Sequence, residues 1–132
     1  MPYGFNDDKS AYDLSNIVDM ISWVGNYTTD GVTGAVISSY NAACFGSGET
    51  ACVAGNIAFT SISASAGWLK IGTIDHPAAA DTLGTCAIGR QYNYNAAGQI
   101  KVGADGGVYF NYNDKNPLPT IIVFNVPYRA AQ

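Results

Sequence analysis

Residues 99–113 read Gln-Ile-Lys-Val-Gly-Ala-Asp-Gly-Gly-Val-Tyr-Phe-Asn-Tyr-Asn, and this stretch decides the class of fold. Apolar side chains alternate with other residues on both sides of its Asp-Gly-Gly tripeptide. Alternation with a period of two places each apolar trio on one face of a β-sheet, so the stretch predicts a β-hairpin. The alternating residues are Ile100, Val102 and Ala104, then Val108, Phe110 and Tyr112.

The length of the turn decides which residues of this hairpin lie opposite each other. A two-residue Asp-Gly loop would place Val102 opposite Tyr109, whereas a three-residue Asp-Gly-Gly loop would place Val102 opposite Phe110. The longer loop brings both apolar trios to one face. It also puts Gly107 at the left-handed position that closes a bulged hairpin, where glycine is free of strain. We therefore predict the three-residue loop.

Further strand signals follow along the chain, separated by turn-forming residues. They cover residues 33–40, 56–63, 68–74, 82–94 and 120–126. Residues 82–94 fit either one long strand or two short ones, and the glycine- and alanine-rich residues 41–55 give no clear assignment. Such a series of short strands is typical of an antiparallel β-sandwich, and we predict a jelly-roll-like sandwich for residues 26–132.

Two segments precede the predicted sandwich. Residues 1–12 are polar and rich in turn formers, yet they contain Tyr3 and Phe5, which need a surface to dock on. Residues 13–25 place apolar side chains at helical spacing, with a glycine at the end where a helix cap would lie. A strand is the rival interpretation, but it would bury Asp19. We predict an extended N-terminal arm over residues 1–12 and one short helix over residues 13–25.

Charge is sparse in this chain of 132 residues. Charged residues make up 12%, with six Lys and Arg against ten Asp and Glu and a net charge of −4, whereas an average globular protein has about 25%. A surface so poor in charge suggests a component of an extracellular particle, or a protomer that buries much of itself against copies. The few cations form no cluster, so we expect no nucleic-acid partner. No apolar run approaches the roughly 20 residues of a membrane helix, and no secretion signal is visible at the N-terminus.

Residues suited to catalysis or metal binding are few. The three cysteines are Cys44, Cys52 and Cys86; Cys44 and Cys52 could be bridged, but buried free thiols are the favoured interpretation. The single histidine, His76, is expected to be a loop residue. No CxxC pair, Cys/His cluster or paired acids on a rigid element are present. We therefore expect a protein that is not an enzyme and uses no cofactor or metal.

Tyrosine and asparagine are concentrated near the predicted hairpin. Tyrosine offers a flat apolar face with one polar tip, and asparagine offers a donor and an acceptor together, so both suit carbohydrate or protein surfaces. Outward tyrosines can also reflect β propensity alone, and the same faces could be subunit contacts. The candidate ligand-binding residues are Tyr92, Tyr94, Tyr109, Tyr112, Asn113 and Asp114.

The N-terminal segment resembles the start of small virion-surface proteins of tailed bacteriophages. The resemblance lies in Tyr-Gly-Phe-Asn-Asp-Asp-Lys-Ser at residues 3–10 and Tyr-Asp-Leu-Ser at residues 12–15. It implies that residues 1–12 are an arm that attaches the protein to the particle. The implied attachment residues are Tyr3, Phe5, Asn6, Asp7, Asp8 and Lys9.

The C-terminal half resembles the head domains of phage receptor-binding and fibre proteins. The matching pieces are residues 70–74, 98–102, 105–108 and the final apolar strand ending Pro-Tyr-Arg at residues 127–129. Such heads are small β-sandwiches, commonly trimers, but the chain contains no long heptad stalk of a full fibre. The resemblance implies a virion structural protein that is made in the host cytoplasm and displayed on the particle surface. Its implied partners are other virion proteins, copies of itself with a trimer favoured, and a host-surface glycan.

Two alternatives remain open. A capsid decoration protein that only stabilises the shell would occupy the same particle. From another class, residues 70–72 and 112–114 resemble, in the same order, short pieces of small calcium-dependent galactose lectins, which implies Asp114 and Asn116 as oxygen ligands. The Pro-Leu-Pro that follows does not continue the lectin loop. A soluble calcium-dependent carbohydrate-binding lectin is therefore ranked below the virion protein.

Overall fold

Nine strands form one sheet in the computed structural model, which describes residues 22–63, 67–90, 93–112 and 119–131. Their order across the sheet is β1-β3-β4-β9-β6-β7-β8-β5-β2, and every neighbouring pair is antiparallel. The described residues contain no helix, so the prediction of a mainly β, antiparallel fold is confirmed. In chain order the strands are β1 (Ser22–Val24), β2 (Tyr27–Thr28), β3 (Ala35–Ser47), β4 (Thr50–Ile62), β5 (Leu69–Ile74), β6 (Thr82–Arg90), β7 (Asn93–Val102), β8 (Gly107–Asn111) and β9 (Ile121–Arg129).

The sheet curls into a half-barrel whose concave face carries the core. Alternate residues along each strand point inward, as in β9, where Ile122, Phe124, Val126 and Tyr128 are buried between more exposed neighbours. The described strands belong to one continuous sheet, and a sandwich of two facing sheets is not confirmed. The largest fully buried side chains are Phe110, Ile57, Ile71, Ile88, Ile100, Ile122, Val53, Val102, Val108, Val126 and Cys44.

Residues 22–28, which we call the strap, join the two edges of the sheet. At one edge Val24 in β1 lies opposite Phe45 in β3, and at the other edge Tyr27 in β2 lies opposite Ile74 in β5. A flat sheet of nine strands would separate its edges by roughly 38 Å. The three steps along the chain from Val24 to Tyr27 span at most about 10 Å. The sheet must therefore curl until its edges lie close together.

Tyr27 anchors the strap from inside the half-barrel. Its hydroxyl donates a hydrogen bond to the carbonyl oxygen of Ile71 at 2.7 Å in a buried position. Burial, with a smaller contribution from Tyr40, raises the pKa of the Tyr27 phenol. Gly72 makes room for the ring, because a Cβ atom at that position would overlap it.

Replacing Tyr27 with phenylalanine should lower the free energy of unfolding by about 1–2 kcal/mol, because the buried Ile71 carbonyl loses this donor. The matched control is Tyr40→Phe, since the Tyr40 ring lies 5.7 Å from that of Tyr27 but is 43% exposed. Urea denaturation monitored by circular dichroism measures both variants. Equal losses in the two variants would contradict the anchoring role of Tyr27.

The hairpin predicted over residues 99–113 forms as β7 and β8, but in a different register. Val102 lies opposite Val108 rather than Phe110. The loop has three residues, as predicted, but it begins one residue earlier, and Gly106 rather than Gly107 has the left-handed conformation, with φ of 86°. The predicted pairing was therefore wrong by two residues, although the loop length was right.

Hydrogen bonds of Asp105 account for the difference in register. Its Oδ1 accepts a bond from the Gly107 amide at 2.8 Å, and its Oδ2 accepts one from the Tyr109 hydroxyl at 2.5 Å. These bonds place Asp105 in the middle of the loop instead of at its start. A shift of two residues keeps the same side chains on the concave face, so Ile100 and Phe110 are buried as expected.

Two segments without a single predicted assignment form regular strands in the structure. Residues 41–55, which gave no clear signal, complete a long hairpin in which β3 and β4 each have 13 residues. Residues 82–94 divide into β6 and the start of β7, the two-strand alternative.

The end of the predicted helix over residues 13–25 is a strand in the structure. Residues Ser22–Val24 form β1 and pair with β3, and Gly25 donates its amide to the Cys44 carbonyl at 2.8 Å instead of capping a helix. Pairing with β3 outweighs the helical spacing at these residues, and Trp23 adds a bond from its Nε1 to the Gly48 carbonyl at 3.0 Å. Residues 13–21 of the predicted helix, and the predicted arm of residues 1–12, lie outside the described residues.

Candidate functional site

A row of three residues, one from each strand, crosses the outer face of β5, β8 and β7. Lys70 lies opposite Tyr109 across β5 and β8, and Lys101 lies opposite Tyr109 across β7 and β8. Trp68, whose side chain is exposed, precedes β5 beside them. We call these four residues the lysine–aromatic surface.

The ammonium group of Lys101 lies over both aromatic rings of this surface. Its Nζ is 5.0 Å from the centre of the Trp68 ring and 4.8 Å from the centre of the Tyr109 ring. At these distances the rings attract the cation electrostatically. The two rings hold the Lys101 side chain in place without accepting a conventional hydrogen bond from it. The N–H donors of its ammonium group therefore remain available.

Asp105 fixes the Tyr109 ring from the hairpin loop. The hydrogen bond from the Tyr109 hydroxyl, followed by that from the Gly107 amide, lowers the pKa of Asp105. The same bond to Asp105 raises the pKa of Tyr109. Asp105 is therefore a carboxylate at neutral pH, and both of its oxygens accept bonds from residues of β8.

Neither lysine of this surface forms an ion pair with another residue that the structure describes. In the part of the chain that the structure describes, Arg129 forms an ion pair with Glu49 at 2.6 Å, and His76 lies 3.9 Å from Asp75 and pairs with it only when its imidazole is protonated. Neither pair includes Lys70 or Lys101. The carboxylates of Asp105 and Asp81 also act on Tyr109, so the two ammonium groups share this surface with two acidic groups. The ammonium groups can donate charge-assisted hydrogen bonds to an anionic ligand.

A second polar group, the closure cluster, lies where the strap crosses between the edges of the sheet. It consists of Trp23, Asn26, Cys44, Asp75 and His76. Asp75 accepts bonds from the backbone amide and the Nδ2 of Asn26 at 2.9 and 3.1 Å, and the Cys44 sulfur lies 3.7 Å from Asp75 Oδ1. The His76 ring stacks on the Trp23 ring with 3.8 Å between centres. The prediction that His76 is a loop residue is confirmed.

The closure cluster has the residue types of a nucleophilic site but not the required electrostatics. A reactive thiol needs a lowered pKa and access to solvent. Cys44 is fully buried, and burial, followed by the charge of Asp75, raises its pKa. The bonds from Asn26 lower the pKa of Asp75. The contacts of this cluster link the strap to the rest of the sheet, which is a structural role.

Replacing Asp75 with asparagine should reduce stability at pH 7 and have less effect in acid. Because the pKa of Asp75 is lowered on folding from its ordinary 3.8, its carboxylate stabilises the fold above that value. This contribution is lost as the pH falls through the folded pKa. Urea denaturation at pH 7 and at about pH 3 tests this, with a smaller difference from the unsubstituted protein at the lower pH. The control is Asp30→Asn in the exposed loop after β2, and equal behaviour of the two variants would contradict the prediction.

Of the predicted ligand-binding residues, the structure describes the side chains of Tyr109 and Tyr112, and these lie on opposite faces of the sheet. Tyr109 lies on the outer face, whereas Tyr112 is buried on the inner face, stacks on Phe110 and donates its hydroxyl to the Ser63 carbonyl at 2.6 Å. Tyr94 falls within β7. The other candidate residues lie outside the described residues, and so do the attachment residues and Asn116. These residues are Tyr92, Asn113 and Asp114, and the arm residues Tyr3, Phe5, Asn6, Asp7, Asp8 and Lys9.

The three cysteines are free thiols, but only Cys44 and Cys86 are buried, so the favoured interpretation of buried free thiols holds for those two and not for Cys52. Cys44 and Cys52 cannot be bridged here, because Cys44 points into the core and Cys52 lies on the outer face beside Asn125. Burial raises the pKa of Cys86 to about 11. Among the described residues no group of His, Cys, Asp and Glu could hold a metal ion.

Comparison with known proteins identifies no family model, curated protein or solved structure that matches the chain. Within the described ranges, no helix is long and apolar enough to cross a membrane.

Proposed function

We propose that this chain is a non-enzymatic surface-display protein that binds an acidic saccharide through the lysine–aromatic surface. The observation that supports it is the position of Lys101 over Trp68 and Tyr109, with Lys70 on the other side of the tyrosine. Aromatic side chains suit the apolar face of a sugar ring. Ammonium groups donate charge-assisted bonds to carboxylate or sulfate groups. Together they favour a sugar that carries acidic groups.

The spacing of the two lysines favours a chain of sugars over a single sugar. Lys70 and Lys101 lie two strands apart, which places their backbones about 10 Å from each other. A small anion can contact both lysines only if their flexible side chains converge on it. An extended acidic polysaccharide can contact both cations and the rings between them.

The tailed-phage virion is the proposed setting. Support comes from the resemblance of residues 3–15 to small virion-surface proteins, and from the sparse charge of the chain. In this proposal residues 1–12 attach the protein to other virion proteins, and the sheet domain meets the host surface. The jelly-roll-like sandwich for the whole domain and the homo-oligomer, with a trimer favoured, remain predictions.

Binding to alginate, a polyuronate, compared with neutral dextran tests the proposed ligand class. Lys101→Ala should weaken alginate binding about tenfold, because a hydrogen bond to a charged group contributes about 1.5–3 kcal/mol, and added salt should weaken it further. Trp68→Ala should also weaken it. The matched control is Arg129→Ala, an exposed cation that is paired with Glu49. Equal binding to dextran, or an equal loss in the Arg129 variant, would refute the ligand class.

Attachment through the arm is tested separately. Replacing both Tyr3 and Phe5 with alanine should remove the protein from purified particles and leave alginate binding unchanged, because the two functions use different residues. Ser10→Ala is the control, and quantitative mass spectrometry of particles is the measurement. Retention of the doubly substituted protein on particles would exclude the arm as the attachment site.

A capsid decoration protein is the second candidate. It is favoured by the outer face of β3, β4 and β9, where Ala43, Ala54 and Asn125 lie close together and carry no charge. This function predicts a change in shell stability with no saccharide binding. The calcium-dependent lectin predicts saccharide binding that a chelator abolishes, whereas binding by the two lysines does not require calcium.

A further inference from the structure

An open apolar groove of about 630 Å³ lies on the outer face beside β1. Its surface includes a straight row of four opposed residues, Val24, Phe45, Cys52 and Pro127, one from each of β1, β3, β4 and β9. Val24 is 80% exposed and Phe45 is 42% exposed. A contiguous apolar surface of this kind is typical of a contact site.

The described part of the chain begins at this groove. Ser22 lines the groove, and residues 1–21 come immediately before it. Within them Leu14, Ile17, Val18 and Ile21 recur at spacings of three and four, which forms one apolar side of a helix. A helix of residues 13–21 would be about 14 Å long, and a row across four strands is about 14 Å wide. The segment therefore matches the groove in length and in apolar character.

We propose that residues 13–21 fold back onto the groove of their own chain and cover Val24 and Phe45. The segment is joined to Ser22 directly, so its effective concentration at the groove is of the order of millimolar or higher, above that of a second copy. This inference does not depend on saccharide binding or on the virion setting.

Cys52 provides a test, because it lines the groove while Cys44 and Cys86 are buried. Val18→Cys in the full chain should form a disulfide with Cys52 within one chain when oxidised glutathione is added. The matched control is Asp19→Cys, which has nearly the same tether but lies on the opposite side of the predicted helix. Because bridging needs Cα atoms within about 7 Å of each other, we expect Val18→Cys to react about tenfold faster. Non-reducing electrophoresis and peptide mass spectrometry measure the products, and Cys52→Ser in the same background should remove the bond.

Three outcomes would overturn the proposal. Equal rates for the two cysteine variants would show that the tether alone brings them to Cys52. A disulfide-linked dimer would show that a second copy occupies the groove. Absence of any bond in both variants would show that the segment does not reach the groove.

Alkylation of Cys52 by iodoacetamide gives a second test that needs no added cysteine. Ile17→Asp should increase the alkylation rate severalfold, because the apolar side of the segment would no longer cover the groove. Asp19→Asn should leave the rate unchanged. An unchanged rate in Ile17→Asp would contradict the proposal even if Val18→Cys failed to fold.

Discussion

The short connection between β1 and β2 is the constraint on which the rest of the structure depends. Because β1 pairs at one edge of the sheet and β2 at the other, nine strands must bend until the edges are within reach of three residues. The bend creates the concave face that holds the core, and it crowds polar groups at the crossing point. The contacts of Tyr27, Asn26 and Asp75 there secure the crossing. Closure of the sheet therefore accounts for the contacts of the closure cluster.

The lysine–aromatic surface depends in turn on the register of one hairpin. In the observed register Lys101 lies opposite Tyr109. In the predicted register Lys101 would lie opposite Asn111, and Tyr109 would lie opposite Gly103. The two registers bury the same side chains, so hydrophobic pattern does not distinguish them. The hydrogen bonds of Asp105 select the register, and the same residue orients the Tyr109 ring. One loop carboxylate thus determines both the pairing and the geometry of the proposed binding surface.

The sequence was sufficient for the class of fold and for most strands, because alternation and β-branched runs record burial on one face. The sequence was insufficient at Ser22–Val24, where pairing with β3 outweighs the helical spacing of the apolar residues. It was also insufficient at residues 41–55, where small residues form the paired strands and give no clear alternation of apolar side chains. A Cβ atom at Gly46, for example, would overlap the Thr50 carbonyl oxygen and the Trp23 ring, and no local pattern reveals this crowding. Of the lysine–aromatic surface, Tyr109 is among the candidate residues that the sequence predicts. Trp68 and Lys70 alternate with buried residues and could have been assigned to the outer face, but their position beside Lys101 needs the order of the strands.

The only two tryptophans of the chain lie in contrasting surroundings. Trp23 stacks on the His76 imidazole at the crossing point, and Trp68 is exposed beside Lys101. Indole fluorescence responds to charge and solvent in its immediate surroundings, so each side chain is an intrinsic optical probe of a different event. Emission from Trp23 should follow the integrity of the crossing, and emission from Trp68 should respond if the proposed ligand occupies the surface. Single replacement of either indole by phenylalanine separates the two signals without an attached dye.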